Sequence, residues 1–414
     1  MMLHWLRRKK SKEIMPPPDG LDMLSTEFFN DPYPYYKYLR NNEPAHWTKQ
    51  GCLLLTRQEQ VLRALKNPVL GSAPADFATT HPRNRQRFVC ADVASNLLPF
   101  LDGSDYVRTR QFLGPVLRKT FEESPPDTEG PARRILEPLL EKGTFDVLTD
   151  FGRPLSLQVI CKFMGIPLDN QDDLCRWTDN FFRIFAPLPK AAERNLIDEG
   201  LTQFRGYFRD IVERCRRSPG DDFISRLILK KIDGAGMSDE QIIDNCMLVF
   251  ADAIENVDAA IAGALLALHQ HPKEFRKLRK QPELLPGAVE ESLRFDAPGQ
   301  TAPRIVRDDT QIEGVTARRN SVVLLGLGSS NRDESVYKNP DVFDLSRPKQ
   351  EHLSFGKGNH SCLGFFVVRS EMQAALGALI EGTRDIEVHD HDLSWEHRPG
   401  HRWLSALHVT VKRK

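Results

Sequence analysis

The chain has 414 residues, with 57 Lys plus Arg and 57 Asp plus Glu, so no net positive charge indicates nucleic-acid binding. Hydrophobic residues make up 40% and charged residues 28%, a composition that excludes a disordered or fibrous protein. The length is compatible with two or three domains or with one large enzyme domain.

The N-terminal stretch "MMLHWLRRKKSK" places apolar residues before a basic cluster. A secretory signal has its charges first and a longer apolar segment behind them, so we expect no export signal. Residues 1–28 are predicted to be a solvated tail, with weak membrane-surface contact as the alternative; the apolar piece is too short to span a bilayer. Seven scattered cysteines without a Cys-x-x-Cys pair predict a reducing, cytoplasmic location.

Helical patterns dominate from about residue 33 to 295, and a short predicted strand near residues 52–56 within this stretch could add an N-terminal sheet. "RIVRDDTQIEGVTARRNSVVLL" predicts short strands with a turn near Gly314, and "WLSALHVTVKR" predicts a strand near the C-terminus. No repeat or low-complexity linker divides the chain. The sequence therefore predicts one mostly helical α+β domain over residues 29–414.

One helix is predicted to be unusually long. Ser238 followed by Gln241 forms a capping-box start, and Pro272 marks the end. The interval would measure about 50 Å at about 1.5 Å per residue. Its centre, "CMLVFADAIENVDAAIAGALLAL", is apolar on nearly every side, so we expect it to cross the core.

Polar residues interrupt the middle of this helix, namely Asp252, Glu255, Asn256 and Asp258. A membrane span would not tolerate three acids at its midpoint. Polar groups in a buried helix need hydrogen-bond partners or a wet cavity. This stretch therefore predicts an internal site.

The segment "HLSFGKGNHSCLGFFVVRSE", residues 352–371, has three interpretations. A phosphate-binding loop is excluded, because Ser361 stands where the third glycine of the pattern belongs and no Walker Lys-Ser pair is present. Cys362 could be an ordinary buried thiol, the usual environment of a lone cysteine. It could also be a thiolate ligand.

The thiolate interpretation accounts for the neighbouring residues. A helix predicted to begin at Cys362 would place its positive end beside the sulfur. Gly356 and Gly358 would allow a tight turn, and Gly364 would let a flat ligand approach the backbone. Haem with a proximal cysteine fits this pattern.

Phe355-x-x-Gly358-x-x-x-Cys362-x-Gly364 resembles the haem-binding signature of the cytochrome P450 superfamily, and its spacing is highly specific. The segments "GSSNRDESVY", "NPDVFDLSRP" and "RPGHRWLSALHV" are also similar to family segments. The resemblance runs from about residue 29 to the C-terminus, and the soluble bacterial members are the most similar. It implies the P450 fold, with the long helix crossing a haem b held by Cys362.

Glu291-Ser-Leu-Arg294 is similar to the Glu-x-x-Arg helix of this family, and Arg347 to the arginine that completes the cluster. The resemblance implies a structural role, in which the three residues hold the cysteine segment under the haem. A surface ion pair of Glu291 and Arg294, three residues apart on one helix face, is the alternative.

The resemblance also implies the other contacts to the cofactor. Arg110, Arg304 and His360 are expected to bind the haem propionates, and Phe355, Gly356 and Gly364 to flank the iron ligand. Tyr106 stands where bacterial members often have histidine, and its hydroxyl could still donate a hydrogen bond.

In the central helix, Ala253 matches the kink position of the family, Glu255 its acid and Asn256 its threonine, the pair that delivers protons during oxygen activation. Asparagine departs from the family pattern because it has no readily transferable hydroxyl proton. Our hypothesis is that Glu255 and ordered waters form the relay and Asn256 positions them. Asn256 bonded to a helix carbonyl is the alternative.

Asp252 is unusual in a stretch that is otherwise apolar in the family. It either pairs with a basic residue of a neighbouring helix or faces the pocket and meets a polar substrate group.

The resemblance places substrate contacts in five segments: residues 72–100, 181–188, 249–257 and 297–302, and the pair 403–404. "NFFRIFAPLP" suits a mobile lid over an apolar pocket and equally suits plain core. The candidate pocket residues are Phe181, Phe182, Phe185, Phe250, Ile254, Pro298, Thr301, Trp403 and Leu404.

We expect no fused flavin or iron–sulfur domain, so electrons are expected from a ferredoxin or flavodoxin with its reductase. Such an acidic partner would dock on basic residues near the cysteine side of the haem, although ordinary solvated surface is the alternative. The candidates are Arg108, Arg118, Lys119, Lys357 and Arg369.

The sequence thus predicts a haem–thiolate monooxygenase that hydroxylates or epoxidises an apolar terpenoid, steroid-like, polyketide or fatty-acid molecule. Asn256 keeps one alternative open, a peroxide-using or rearranging haem–thiolate enzyme. The other alternative is a non-catalytic haem protein that senses a ligand.

Overall fold

A computed structural model describes residues 20–71, 81–185, 191–348, 351–391 and 393–414. The α-helices of the described residues are α1 Thr26–Asn30, α2 Tyr33–Asn42, α3 Gln58–Ala64, α4 Val89–Ala94, α5 Gly103–Glu123, α6 Glu129–Lys142, α7 Arg153–Met164, α8 Gln171–Phe181, α9 Ala191–Arg217, α10 Phe223–Leu229, α11 Asp239–Gln270, α12 Pro272–Lys280, α13 Leu285–Phe295, α14 Leu327–Ser330 and α15 Phe365–Gly382. The strands are β1 Ala45–Trp47, β2 Leu53–Leu55, β3 Leu70–Gly71, β4 Thr144–Asp146, β5 Thr301–Val306, β6 Thr310–Ile312, β7 Val315–Ala317, β8 Val322–Gly326, β9 Thr383–Val388 and β10 His408–Arg413. One π-helical turn, Val147–Gly152, precedes α7.

The strands form one larger and two smaller sheets. The larger has the order β1-β2-β8-β5-β3, with β2 parallel to β8 and the other pairs antiparallel. A second sheet has the order β4-β10-β9, and β6 and β7 form a hairpin whose turn contains Gly314 at φ +79°. The predicted turn and the strands on both sides of it are confirmed.

The long helix α11 runs between the two largest hydrophobic clusters. Its first half, around Phe250, packs into a cluster with α5, α7, α8, α9 and α10. Its second half, around Leu265, packs with α6, α13, α15 and the sheet of β4, β9 and β10. Both predicted limits are confirmed, because Ser238 caps the helix with Gln241 and the helix stops at Gln270 before Pro272.

The folded part of the chain begins earlier than the predicted boundary at residue 29. Leu21, Met23 and Phe28 are buried and pack with Tyr36 and Leu39 of α2. The basic cluster in the first twelve residues lies outside the described residues. Within the described part of the chain, no helix has the length and apolarity needed to cross a bilayer.

Candidate active site

The loop that carries Cys362 is closed by its own backbone. The Cys362 N–H donates to the Phe355 carbonyl at 2.8 Å. Gly356 and Gly358 have φ of +62° and +73°, conformations that other residues rarely adopt. The predicted turn at these two glycines is confirmed.

The helix after the cysteine begins later than predicted. α15 starts at Phe365 with Gly364 as its N-cap, so Cys362 lies before the helix instead of being its first residue. The first helical hydrogen bonds are accepted by the Gly364 carbonyl, from the N–H groups of Val367 and Val368 at 2.9 and 3.2 Å. The helix mouth still supplies a donor, since the Gly364 N–H bonds to the Cys362 sulfur.

Burial raises the pKa of the Cys362 thiol to about 11, although the Gly364 N–H and the charges of Arg110 and Arg369 oppose this rise. The sequence suggested that the helix mouth holds the sulfur ionised, but the raised pKa indicates that the loop alone does not. A thiol that coordinates a metal ion loses its proton outright. Metal ligation, and not the helix mouth, would supply most of the driving force for ionisation.

One stripe of α11 faces space inside the molecule. Val249, Asp252, Ala253 and Asn256 retain accessible surface, whereas almost all other residues in the middle of the helix are buried. Their spacing places them on one face. Cys362 is also accessible although protein surrounds it, and the Asp252 charge acts on its thiol. The stripe and the cysteine loop thus border one space, here called the internal space.

Glu255 is bound by an arginine that the sequence did not indicate. Its Oε2 accepts a hydrogen bond from Arg398 Nη1 at 2.6 Å. The Arg398 guanidinium also lies over the rings of Trp403 and Phe182, at 4.1 and 4.6 Å. Burial raises the pKa of Glu255 to about 7 in spite of this cation. A carboxyl group with such a pKa can give and take protons at neutral pH.

Asp252 has no hydrogen-bond or ion-pair partner for its carboxylate among the residues that the structure describes. Burial, together with the Glu255 charge, raises its pKa to about 7, and Arg398 opposes this rise. Of the two predicted roles, pairing with a basic residue of a neighbouring helix is not found there. The side chain instead faces the internal space.

Asn256 bonds to its own helix. Its Nδ2 donates to the Asp252 carbonyl at 3.3 Å, which is the alternative role considered from the sequence. The Oδ1 atom has no partner in the described part of the chain. Asn256 can therefore accept a hydrogen bond from a group in the internal space while its amide is engaged.

A cationic cluster lies between α5, β5 and the cysteine loop. Arg110 donates to the Ser361 carbonyl and hydroxyl at 2.8 and 3.0 Å and to the Tyr106 hydroxyl at 3.1 Å. Tyr106 in turn donates to the Asn359 carbonyl at 2.7 Å and packs on the His360 ring at 4.3 Å.

Burial lowers the pKa of Arg304, and burial together with the charges of Arg304 and Arg110 lowers the pKa of His360 to about 4. The Arg304 side chain bonds only to the carbonyl of Pro303 among the described residues. No carboxylate there pairs with Arg110 or Arg304, so the structure brings together two cations suited to an external anion.

The predicted cluster of Glu291, Arg294 and Arg347 is present, with Glu291 and Arg294 buried and Arg347 partly exposed. Arg294 makes two bonds to the Glu291 carboxylate, at 2.7 and 2.9 Å. Arg347 Nε donates to both Glu291 oxygens at 3.2 Å. Glu291 is 4% and Arg294 2% exposed, so this is a desolvated pair and not a surface one.

Asn331 connects this cluster to the cysteine loop, a link that sequence reasoning missed. Its carbonyl accepts from Arg294 at 2.9 Å, and its side chain accepts from the Leu353 N–H at 2.7 Å and donates to Ser354 at 2.8 Å. Ser354 precedes Phe355, so the predicted structural role has a direct hydrogen-bond path.

The candidate pocket residues fall into two groups. One group lies near the loop between β9 and β10 and contains Phe182, Trp403, Pro298 and Thr301. Phe182 and Trp403 contact Arg398, and the Thr301 N–H donates to the Gly400 carbonyl at 3.2 Å. The segment 297–302 is thereby joined to the segment 400–404.

The remaining candidates lie in the hydrophobic clusters or at the surface. Four of them are buried in the hydrophobic clusters, namely Phe181, Phe250, Ile254 and Leu404. Phe185 is exposed, and its ring stacks on that of Phe100 at a centroid distance of 4.9 Å. Substrate contact by these residues stays a prediction. Residues 72–80 and 186–188 of the predicted substrate-contact segments lie outside the described residues.

The residues of the internal space fit a haem. An ideal Cβ atom at Gly364 would meet no atom within 4 Å, so the backbone beside the sulfur leaves room for a flat group. Arg304 and Arg110 supply cations for propionates. The described residues contain no group of three or more His, Cys, Asp or Glu side chains placed to hold a metal ion, so a metal bound to Cys362 would bring its other ligands, as iron in a porphyrin does.

Comparison with known proteins identifies the family. A Cytochrome P450 family model matches residues 160–384. The chain is 31% identical to the biotin biosynthesis cytochrome P450 of Bacillus subtilis over 398 residues, 94% of this chain and 98% of that protein. It is also 31% identical to the vitamin D(3) 25-hydroxylase of Pseudonocardia autotrophica over 86% of this chain and 88% of that protein.

Solved structures agree. P450BioI in complex with hexadec-9Z-enoic acid ligated acyl carrier protein superposes with a TM-score of 0.85 at 28% identity, covering 94% of this chain and 99% of that chain. The Bacillus subtilis bacillaene polyketide synthase cytochrome P450 PksS has a TM-score of 0.84 at 27% identity, covering 95% and 100%. The predicted P450 fold is confirmed, and the chain belongs to the cytochrome P450 family of haem–thiolate monooxygenases.

Proposed function

We propose that this enzyme hydroxylates or epoxidises a small molecule held in the internal space, with dioxygen and with electrons from a separate ferredoxin or flavodoxin. The observation that carries the proposal is the accessible stripe of α11 across from the accessible Cys362. Haem b on Cys362 would supply the oxygen chemistry, since an electron-rich thiolate favours O–O cleavage. Cysteine usage supports a cytoplasmic location.

In this proposal Glu255 handles protons and Asn256 orients water. The ion pair with Arg398 fixes the Glu255 carboxylate beside the internal space. Its pKa of about 7 lets both protonation states be populated under working conditions. The free Oδ1 of Asn256 accepts a hydrogen bond and offers no proton of its own, so Glu255 is the group that supplies it.

Glu255→Gln is expected to lower oxygen-dependent turnover about 100-fold or more, because an amide cannot replace a general acid. Product formation and peroxide release at fixed haem concentration measure the effect. The wild-type rate should fall as pH rises above about 7, where the Glu255 carboxyl loses its proton, and this fall should be absent from the variant.

The matched control is Glu240→Gln, the same change at an exposed position on the same helix. It should leave turnover and its pH profile unchanged. Equal rates for Glu255→Gln and the control would remove Glu255 from the proton path.

Electron delivery is proposed to use a basic face beside the cysteine loop. Arg108, Arg118 and Lys119 are exposed on α5, and Lys357 is exposed on the loop. α5 lies against that loop, since an ideal Cβ at Gly114 would be 3.3 Å from Leu363.

The fifth candidate, Arg369, is engaged elsewhere. Its guanidinium binds the Glu290 carboxylate at 2.5 and 2.8 Å and covers the Phe355 ring at 4.6 Å. Lys119 and Lys357 also pair with carboxylates, those of Glu123 and Glu351, but both stay exposed, whereas Arg369 is half-buried, so the docking face is proposed without Arg369.

Raising the ionic strength is expected to slow reduction by an acidic ferredoxin, because salt screens exposed charges beyond about 10 Å at about 0.1 M. Stopped-flow reduction under carbon monoxide measures the rate. At low salt, the Arg118→Glu variant should be reduced more slowly than the wild type is. Arg413→Glu makes the same change on β10, outside the docking face, and serves as the control. A rate that does not respond to salt would contradict docking on this face.

Asn256 supports a second candidate function, an enzyme that uses peroxide. Its amide is bonded to the helix and it has no hydroxyl proton to transfer. Turnover with peroxide, together with none in a ferredoxin and reductase system, would favour this candidate over the dioxygen-dependent reaction.

A further inference from the structure

The internal space contains one carboxylate in excess. Asp252 lies close enough to Glu255 and Arg398 for both charges to act on its pKa, the acid raising it and the guanidinium lowering it. Glu255 forms an ion pair with Arg398, whose Nη1 donates a hydrogen bond of 2.6 Å to its carboxylate. Asp252 is left without a counter-ion in the described part of the chain.

An unpaired buried charge is costly, and proteins normally pair it. Asp252 has no counter-ion among the described residues because it lies on the stripe of α11, where it faces the internal space and not a neighbouring helix. The cations Arg110 and Arg304 lie beside the Cys362 loop, with Tyr106 and His360, and are suited to haem propionates. A cationic group that enters the internal space would supply the counter-charge that Asp252 lacks among the described residues.

We propose that Asp252 is a specificity-determining residue that binds a positively charged nitrogen of the substrate. This inference rests on the proposed function and specifies its substrate class as an amphipathic molecule with an apolar body and one cationic amine. Val249 and Ala253, which flank Asp252 on the same stripe, supply apolar surface for the body. The sequence predicted an apolar substrate and left open a polar substrate group at Asp252; the inference makes that group a cation.

A cation fits this position better than a neutral or an anionic group does. A hydroxyl would satisfy one oxygen of the carboxylate but leave its charge uncompensated. A second carboxylate would be repelled by Asp252 and could compete for Arg398 only by displacing Glu255. A cation neutralises the excess charge and leaves the Glu255–Arg398 pair intact.

The test compares three ligands of equal chain length with the haem-loaded enzyme: decyltrimethylammonium, decanol and decanoate. The quaternary ammonium has no lone pair, so it cannot bind iron, and it probes charge alone. Equilibrium dialysis measures binding directly, and the haem spin state is a second readout. The wild type should bind the cation at least about tenfold more tightly than decanol, and decanoate most weakly.

Asp252→Asn keeps the shape of the side chain and removes its charge, and Glu240→Gln is the control for charge loss on the same helix. The Asn variant should lose the preference for the cation, and the control should keep it. Because the variant removes an uncompensated charge, its Tm should be no lower than that of the wild type. A lost preference for the cation could then not be attributed to unfolding.

The preference should also shrink as pH falls below about 7 in the wild type, because Asp252 becomes protonated. The groups that face it are Glu255 on its own helix, Arg398 from the loop between β9 and β10, and Cys362 from the loop before α15. The pH effect must therefore be absent from Asp252→Asn to be assigned to Asp252.

A wild-type enzyme with no preference for the cation, or a preference that survives in Asp252→Asn, would overturn the inference. Either result leaves the proposed function standing if the enzyme still forms product with dioxygen and a redox partner. Failure of product formation with every ligand, in an enzyme that still selects the cation, would contradict the proposed function alone.

Discussion

Cys362→Ser is expected to abolish oxygen-dependent turnover and to lower haem affinity by more than about 100-fold. Loss of a group that only supports a metal ligand already lowers metal affinity by up to about 100-fold, and Cys362 is the ligand itself. Serine keeps the hydrogen bond from its N–H to Phe355 and nearly the same volume, so the loop should keep its turn. What it lacks is a thiolate, the electron-rich ligand on which O–O cleavage depends. Haem content per chain and product formation measure the two effects.

The control is Cys52→Ser, a half-buried thiol before β2 that faces neither α11 nor the cysteine loop. It should keep full haem content and turnover. Cys362→Ser protein that retains both would show that the chemistry does not depend on this sulfur.

Arg294→Ala is expected to lower the free energy of unfolding by about 3–5 kcal/mol, because it leaves the buried Glu291 carboxylate without its main counter-ion. It also removes donors to the carbonyls of Asn331 and Pro340, at 2.9 and 3.0 Å. Since Asn331 holds Leu353 and Ser354, the cysteine loop should loosen and haem should dissociate faster. Denaturant unfolding and the rate of haem transfer to an acceptor protein measure these effects.

Arg413→Ala provides the comparison, because Arg413 forms an exposed ion pair with Glu137 at 2.6 Å. An exposed pair of this kind contributes at most about 1 kcal/mol. Equal losses for the two variants, or unchanged haem transfer in Arg294→Ala, would contradict the proposed link from this cluster to the cysteine loop.

Local sequence signals predicted the elements that depend on short-range chemistry. Ser238, Gln241 and Pro272 set the limits of α11 through capping and the lack of a proline N–H, and both are local effects. Gly356 and Gly358 similarly mark a turn because only glycine adopts positive φ easily. The family signature then placed Cys362, Glu291, Arg294 and Arg347, and the structure brings the last three into contact.

Long-range contacts were not predictable in the same way. Arg398 is 143 residues from Glu255, and nothing in its local pattern distinguishes it from the other arginines. The start of α15 was placed too early because the first helical hydrogen bonds are accepted by the Gly364 carbonyl and not by that of Cys362. The domain boundary was placed too late because the burial of Leu21 depends on packing against α2.

Iron X-ray absorption spectroscopy of the purified, haem-loaded enzyme tests the central claim most directly. The spectrum should show one sulfur neighbour of the iron in the wild type, and this neighbour should be absent from Cys362→Ser. An iron coordinated only by nitrogen and oxygen in the wild type, or a sulfur neighbour that persists in the variant, would contradict the assignment of Cys362 as the ligand.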